Sequence, residues 1–332
     1  MNPVIEKYLC ITCGNDFILS NEVNKEDGSV REGELVCPSC GVQYPIKDSI
    51  PRFVPGENYT DSFGYQWNIH RKTQLDSYTG LSISRDRLLT VSRWSKNLQG
   101  ERILEAGSGA GRFTEVLLQT GADVFSFDYS SAVEANQMNN GYKPNLHLFQ
   151  GDIFNIPLSQ ESLDKVICLG VLQHTPDPEL AFKNLVKYVK PGGELVVDVY
   201  KADFPSWFQW KYLLRPVTKR MNKEHLYKLV MLIVPVLIPF TKLLRLFLGR
   251  AGSQLSPIVE YTYLGLPPEI NRDWAVLDTF DMYSPTHDHP QSLKTIKRWY
   301  SESGLVNIVV RYGPNGIMGR GKKPDMAGSE VH

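Results

Sequence analysis

Four of the five cysteines in the 332-residue chain form two C-x-x-C pairs, Cys10-Ile-Thr-Cys13 and Cys37-Pro-Ser-Cys40, with 23 residues between them. Two such knuckles across a hairpin-length segment can set four thiolates tetrahedrally about one Zn2+. Gly14 and Gly41 follow the pairs, where the chain must turn tightly while its amides approach the sulfurs. Two disulfides are the rival reading, and they fit poorly with a reducing compartment. A redox C-x-x-C needs only one pair beside a βαβ unit. The fifth cysteine, Cys168, sits in the apolar run Val166-Ile-Cys-Leu-Gly170 and reads as a core thiol.

A second set of residues with chemistry lies between 103 and 152. Glu105 precedes a glycine-rich turn, Gly107-Ser-Gly109-Ala-Gly111, and acids also close the next two apolar runs, at Asp128 and Asp152. The G-x-G-x-G spacing differs from the G-x-G-x-x-G of a pyrophosphate binder. A nicotinamide enzyme would use Asp128 on a ribose and give Asp152 no task. S-adenosylmethionine carries a cationic sulfonium and amino group, two ribose hydroxyls and an adenine amine, which suit acceptors at all three positions. A plain βα scaffold with solvated acids and a nicotinamide site stay open as alternatives.

The elements that must position these groups are short. Strands are expected at Ile103–Ala106, Val124–Phe127, Leu146–Gln150, Lys165–Leu169 and Leu195–Val199, with helices after Phe113 and from Pro178 to Val189. Pro191-Gly-Gly193 should stop the second helix. Repeated βα units of this length give a doubly wound parallel sheet, with ligands at the carboxyl ends of its strands. Ser292 to Ser303 reads as an amphipathic helix with Leu293, Ile296 and Trp299 on one face and Gly304 at its end. A strand from Leu305 to Val310 and an antiparallel one from Gly316 to Lys322 then complete seven strands, so the fold is α/β and mostly parallel.

The segments Glu105-Ala-Gly-Ser-Gly-Ala-Gly-Arg112, Phe127-Asp-Tyr-Ser-Ser131, Gln150-Gly-Asp-Ile153, Gly170-Val-Leu-Gln-His-Thr-Pro-Asp-Pro178 and Lys190-Pro-Gly-Gly193 follow one another at spacings that resemble class I S-adenosylmethionine-dependent methyltransferases, whose core is Rossmann-like. The resemblance implies that Gly107, Gly109 and Gly111 let backbone approach the methionine moiety, near Glu105. It implies that Asp128 holds the ribose hydroxyls, Tyr129 stacks near adenine, Asp152 accepts from the adenine amine and Ile153 packs on the ring. The stretch from Cys37 to Val54 resembles the small zinc-ribbon proteins that partner and activate tRNA and protein methyltransferases, here fused to a catalytic domain.

The expected organisation is therefore a zinc ribbon over 1–56, a helical cap over 57–96, the core over 97–200 and 290–323, a mainly helical substrate cap over 201–289 and a disordered tail over 324–332. Methyl transfer is an in-line displacement, so positioning the acceptor is most of the catalysis, and a base is needed only for a weakly acidic acceptor. His174, after the fourth strand, is the candidate for that base or for orienting the acceptor; its alternative is loop packing. Tyr283, His287 and His289 lie in the loop Asp281-Met-Tyr-Ser-Pro-Thr-His-Asp-His-Pro290 and are candidates for acceptor contact. A metal at 287–289 is poor, because neighbours on an extended chain point apart. Tyr65 and Trp67, and Gln74 to Asp76, face the pocket or merely pack, while Arg71, Lys72, Arg85 and Arg87 read as a solvated face.

The 36 basic and 36 acidic residues cancel, which argues against a whole-surface nucleic-acid binder. The cancellation hides segregation: residues 1–50 carry net −4, 51–100 net +3, 101–200 net −6, 201–250 net +8 and the remainder net −1. The ribbon would repel phosphate, and any anionic partner should dock at 201–250. There, aromatics from Phe204 to Tyr212 and basic flanks precede an apolar stretch, Leu226 to Leu248. Its longest uncharged run, Leu229 to Thr241, has 13 residues, short of a membrane span. Peripheral membrane contact through 204–250, and a helical pair packed on the domain, both fit. Glu6 breaks the N-terminal pattern of a secretory signal, and the chain is expected in the cytoplasm. The leading function is methyl transfer to a small or amphipathic acceptor such as a lipid, quinone-like ring or sugar conjugate. RNA methylation ranks second, and an inactive ribbon-based activator third.

Overall fold

The computed structural model describes residues 7–24, 26, 29–54, 58–141, 143–202 and 210–325. An antiparallel four-stranded sheet, β1 (Ile18–Asn24), β2 (Val30–Val36), β3 (Gln43–Lys47) and β4 (Ile50–Pro51), forms the ribbon in the order β1-β2-β3-β4. Leu35, Ile46 and Ile50 turn inward and are at most 2% exposed. The chain then runs alongside the main sheet. Arg52 makes a parallel bridge with Gln150, and the Phe53 amide donates to the Gln150 carbonyl at 2.9 Å. Tyr8 and Phe53 meet Phe149 at ring separations of 5.4 and 6.0 Å, and Phe149 stacks on Phe127 at 5.1 Å. Ribbon and core share one apolar cluster.

Three helices, α1 (Asp61–Ile69), α2 (Asp76–Thr79) and α3 (Ile83–Ser92), fill the expected N-terminal cap. The main sheet is built from β5 (Arg102–Ala106), β6 (Asp123–Asp128), β7 (Leu146–Gln150), β8 (Leu163–Leu169), β9 (Val189–Val199), β10 (Val306–Gly313) and β11 (Gly316–Lys322). Their order is β10-β11-β9-β8-β5-β6-β7, with β11 antiparallel to both neighbours and β5 to β9 parallel. Helices α4 (Arg112–Leu118), α5 (Ala132–Asn140), α6 (Pro178–Tyr188) and α10 (Leu293–Glu302) cover the sheet. Leu104, Val166, Cys168, Leu195 and Val197 are fully buried, as parallel strands covered on both faces require. Cys168 is thus a core thiol.

Local chemistry fixes the helix ends. Asp177 accepts from the Leu180 amide at 3.0 Å with Pro178 at the first turn of α6. Ser292 accepts from the Thr295 amide at 3.0 Å to start α10, which buries Ile296, Trp299 and Tyr300. One boundary differs from expectation. Pro191-Gly-Gly193 lies within β9, which begins at Val189, because a register shift against β8 and Gly192 at φ 77° let the strand absorb the irregular residues.

The insertion comprises α7 (Trp210–Thr218), α8 (Lys223–Gln254, kinked at Gly249) and α9 (Pro268–Tyr283). The aromatic residues expected at 204–209 and the tail beyond 325 lie outside the described residues. Helix α8 continues through Pro235 and Pro239, so its 27-residue span Lys223–Gly249 is long and apolar enough to cross a membrane by length and composition. Counting only uncharged residues had cut this stretch short at Lys228 and Lys242.

Candidate functional site

The carboxyl ends of β5, β6 and β7 open into a cavity of about 710 Å³. It lies where the strand order reverses between β5 and β8, the position at which open α/β sheets take ligands. Gly107 to Ala110 form one wall, with Phe127, Asp128, Tyr129, Asp152 and Ile153 beside them. Gly107 holds φ 79°, and a Cβ there would stand 2.3 Å from Val171 Cγ2. Gly109 holds φ 52°, and the Trp67 indole lies 3.2 Å from the place of its missing Cβ. Only glycine leaves this backbone open to a ligand, with Trp67 closing over it.

The acids are arranged for acceptance. Asp128 Oδ1 accepts from the Ser130 amide and hydroxyl at 2.9 and 2.7 Å, and Oδ2 from the Gly109 amide at 2.9 Å. A carboxylate has about four lone-pair sites, so Oδ2 keeps capacity for a ligand hydroxyl. Burial pushes the Asp128 carboxyl up, and the hydrogen bonds it accepts, from Ser130, Gly109 and the Tyr129 amide, pull it back. Asp152 is likewise raised by burial, while Phe154 donates to it at 2.9 Å. Tyr59 and Tyr129 rings meet at 5.1 Å beside these two acids. A cationic cofactor with ribose hydroxyls and an exocyclic amine fits this wall.

Several expected site residues stand elsewhere. Glu105 does not line the cavity: it is 3% exposed and accepts from Thr114 and Ser126 hydroxyls at 2.5 and 2.9 Å behind the glycine turn, and burial pushes its carboxyl up to about 7. Gly111, at φ 85°, precedes α4 with Asn136 and Asn140 against it and is also behind the wall. Tyr65 packs on Tyr227 and Phe280, and Tyr283 donates to the Pro257 carbonyl at 2.7 Å inside the insertion's core. Both are packing residues. His287 and His289 stack on each other at 5.7 Å outside the lining, and between them Asp288 turns inward. Among the described residues the one metal-competent cluster is that of the four ribbon cysteines.

The opposite wall is richer than the sequence suggested. Arg87, expected on a solvated face, lines the cavity and makes a bidentate pair with Asp198, Nη2 to Oδ1 at 2.9 Å and Nε to Oδ2 at 3.1 Å. Lys211 and Arg215 meet Asp288 at 3.2 and 3.6 Å. Tyr200 donates to Asp281 at 3.3 Å, Tyr261 bonds Asp278, and burial pushes Asp278 up to about 6. Two signals for this wall were readable: the loop Asp281 to Pro290, whose Asp281 and Asp288 line it, and Asp198, an acid in the apolar run of β9. His174 joins the two walls. Its Nδ1 lies 3.0 Å from the His287 carbonyl, its ring contacts Tyr200 and Phe63, and it lines the cavity. A carbonyl only accepts, so Nδ1 carries the proton and Nε2 is the basic nitrogen.

In the ribbon, Cys10 and Cys40 sulfurs lie 3.6 Å apart and Cys13 and Cys37 sulfurs 3.4 Å, with all four within 4.8 Å of one another. The two knuckles repeat one geometry. Gly14 donates to Cys10 O at 2.7 Å and Gly41 to Cys37 O at 2.9 Å, at φ 76° and 74°. Four thiolates about 2.3 Å from one ion would be separated by about 3.8 Å, so the cage fits a tetrahedral metal.

Comparison with known proteins agrees with both halves of this description. Residues 104–197 match a methyltransferase-domain family and residues 24–49 match the Trm112p-like protein family. A ubiquinone biosynthesis O-methyltransferase of Coxiella burnetii is 30% identical over 112 residues, covering 33% of this chain and 48% of that protein. One from Erwinia tasmaniensis is 28% identical over 148 residues, covering 40% and 58%. The chain spans about half the length of the curated relatives it matches. A solved complex of the Haloferax volcanii Trm112 methyltransferase activator with a methyltransferase aligns at TM-score 0.48 and 12% identity, covering 80% of this chain and 98% of that one. The glycine turn, Asp128 and Asp152 thus lie within the stretch that matches the methyltransferase-domain family, joined in one chain to a stretch that matches the Trm112p-like family.

Proposed function

We propose that the chain transfers the methyl group of S-adenosylmethionine to a small or amphipathic acceptor carrying a hydroxyl, with a structural Zn2+ in the ribbon. The observation that carries this reading is the two-walled cavity: acceptor oxygens of Asp128 and Asp152 beside an open glycine turn on one side, and a cationic, tyrosine-rich wall on the other. When bound, S-adenosylmethionine supplies an electrophilic methyl group and departs as a neutral thioether. Asp128 Oδ2 accepts from a ribose hydroxyl, Asp152 from the adenine amine, and Tyr129 and Ile153 border the ring. Trp67 excludes water above Gly109. Lys211, Arg215 and Tyr200 orient the acceptor, and His174 Nε2 takes its hydroxyl proton while the His287 carbonyl fixes the ring. The names of the ubiquinone-pathway relatives support a hydroxylated small molecule as acceptor. Cys10, Cys13, Cys37 and Cys40 would hold the zinc, and since none of them lines the cavity its role would be to fold the ribbon.

The test is transfer of labelled methyl from S-adenosylmethionine into total extracts. Label in low-mass, solvent-extractable material is expected. Label in RNA instead would overturn the acceptor class, and no transfer at all would overturn the enzyme.

A further inference from the structure

Helix α8 has two unlike sides. On one, Leu226, Val230 and Val234 are at most 5% exposed and pack with Ala275, Val276 and Phe280 of α9. On the other, Leu232, Val236, Phe240, Leu243 and Phe247 recur every three or four residues and are 51–75% exposed. Single exposed apolar residues are ordinary, but an aligned row of five is not. A core helix would be mostly buried; only 17% of the apolar stretch of α8 is. Lys228 and Lys242 stand on the exposed half of the same helix, and Lys219 and Arg220 on its approach. Among the described residues no acid pairs with these four cations. They belong to the block of net +8 in a chain of net zero.

We propose that α8 lies on an anionic lipid bilayer, its apolar row in the acyl boundary and its lysines at the lipid phosphates. A bilayer surface offers hydrocarbon and negative charge within one side-chain length, which is the pairing this face presents. RNA would satisfy the lysines and leave the aliphatic row in water. A second copy would bring like charges together across a two-fold contact. The helix is also held against spanning. Its inner stripe is fixed to α9, the Thr241 and Ser256 hydroxyls bond at 2.6 Å, and Arg245 pairs with buried Glu260 at 3.4 Å. These polar attachments tie one side of α8 to the domain, so lipid can reach only the other.

The experiment is flotation of the full chain with vesicles of phosphatidylcholine alone and of phosphatidylcholine mixed with phosphatidylglycerol. The protein should float with the mixed vesicles, weakly with the neutral ones, and less as salt rises. Leu232→Glu with Phe240→Glu should lower the bound fraction about tenfold or more, since two exposed apolar side chains lose their burial. Lys228→Gln with Lys242→Gln should weaken binding and flatten its salt dependence. Melting within a few degrees of the parent shows that these surface variants fold. Failure to float, equal binding to both vesicle types, or apolar variants that bind like the parent would overturn the proposal. So would a dimer that the glutamate variants dissociate, extraction from membranes only by detergent, or tight salt-sensitive binding to RNA in place of vesicles.

Discussion

Glu105 and Asp128 close adjacent strands and are both acids, yet they face different surroundings. Asp128 opens to the cavity, whereas Glu105 is enclosed by Thr114 and Ser126. A carboxyl raised to about 7 by burial retains a proton that the unfolded chain releases near pH 4.5. Its folded state is therefore favoured below that value, and stability falls as pH rises through about 7. Glu105→Gln should remove this slope: between pH 4.5 and 8 the parent should lose on the order of 2–3 kcal/mol relative to the variant in denaturant melts, with cofactor affinity changed little. At the other wall, His174→Gln should lower kcat about 10²–10⁴-fold with little effect on cofactor affinity, the range of a lost general base. An unchanged kcat would make His174 a packing residue. The residue types at 105, 128 and 152 were legible in the sequence because they terminate apolar strands. Which of them points at the ligand was not, since that depends on side-chain neighbours contributed by α4 and β6. Tyr65 and Tyr283 failed for the same reason: an aromatic before the sheet or in a loop reads alike whether it packs on Phe280 or lines a cavity.

Elements carried by periodicity and punctuation were the readable ones. The strands β5 to β8, helix α10 and the two knuckles all follow from apolar runs, a serine cap and paired C-x-x-C. The β9 boundary was misplaced because Pro191-Gly-Gly193 reads as a stop, while a bulge accommodates it inside the strand. The length of α8 was hidden by Lys228 and Lys242, which interrupt the apolar run, while the helix passes through Pro235 and Pro239 on an exposed side. At the β5–α4 turn the geometry makes a sharp prediction. Gly107→Ala meets Val171 at 2.3 Å and keeps a positive φ, so it should cost about 1–3 kcal/mol from the backbone alone and lower the melting temperature. An alanine variant as stable as the parent would show that this turn is not held as described.

At the scale of the molecule, ribbon and catalytic domain are one body of apolar side chains. Tyr8 and Phe53 pack on Phe149 of β7, and the Arg52 to Gln150 bridge extends the main sheet into the ribbon. Removing the metal with a chelator, or Cys37→Ser, should therefore lower the melting temperature of the whole chain in one transition. Two separate transitions, with the main one unmoved, would contradict the shared core. The block charges show why a net charge of zero conceals so much: the acids cluster in the ribbon and around the cofactor wall, and the cations on the insertion. Sequence order exposed that division, but only the fold shows Lys211 and Arg215 turned into the cavity against Asp288 while Lys228 and Lys242 face outward. The most direct measurement is titration calorimetry of the purified chain with S-adenosylmethionine, beside Asp128→Ala. The account predicts a single site in the parent and at least about tenfold weaker binding in the variant, the loss of a charge-assisted hydrogen bond, in a protein that melts at a lower temperature but still cooperatively, because Ser130 and Gly109 lose their acceptor. No binding by the parent, or equal affinity in Asp128→Ala, would contradict it.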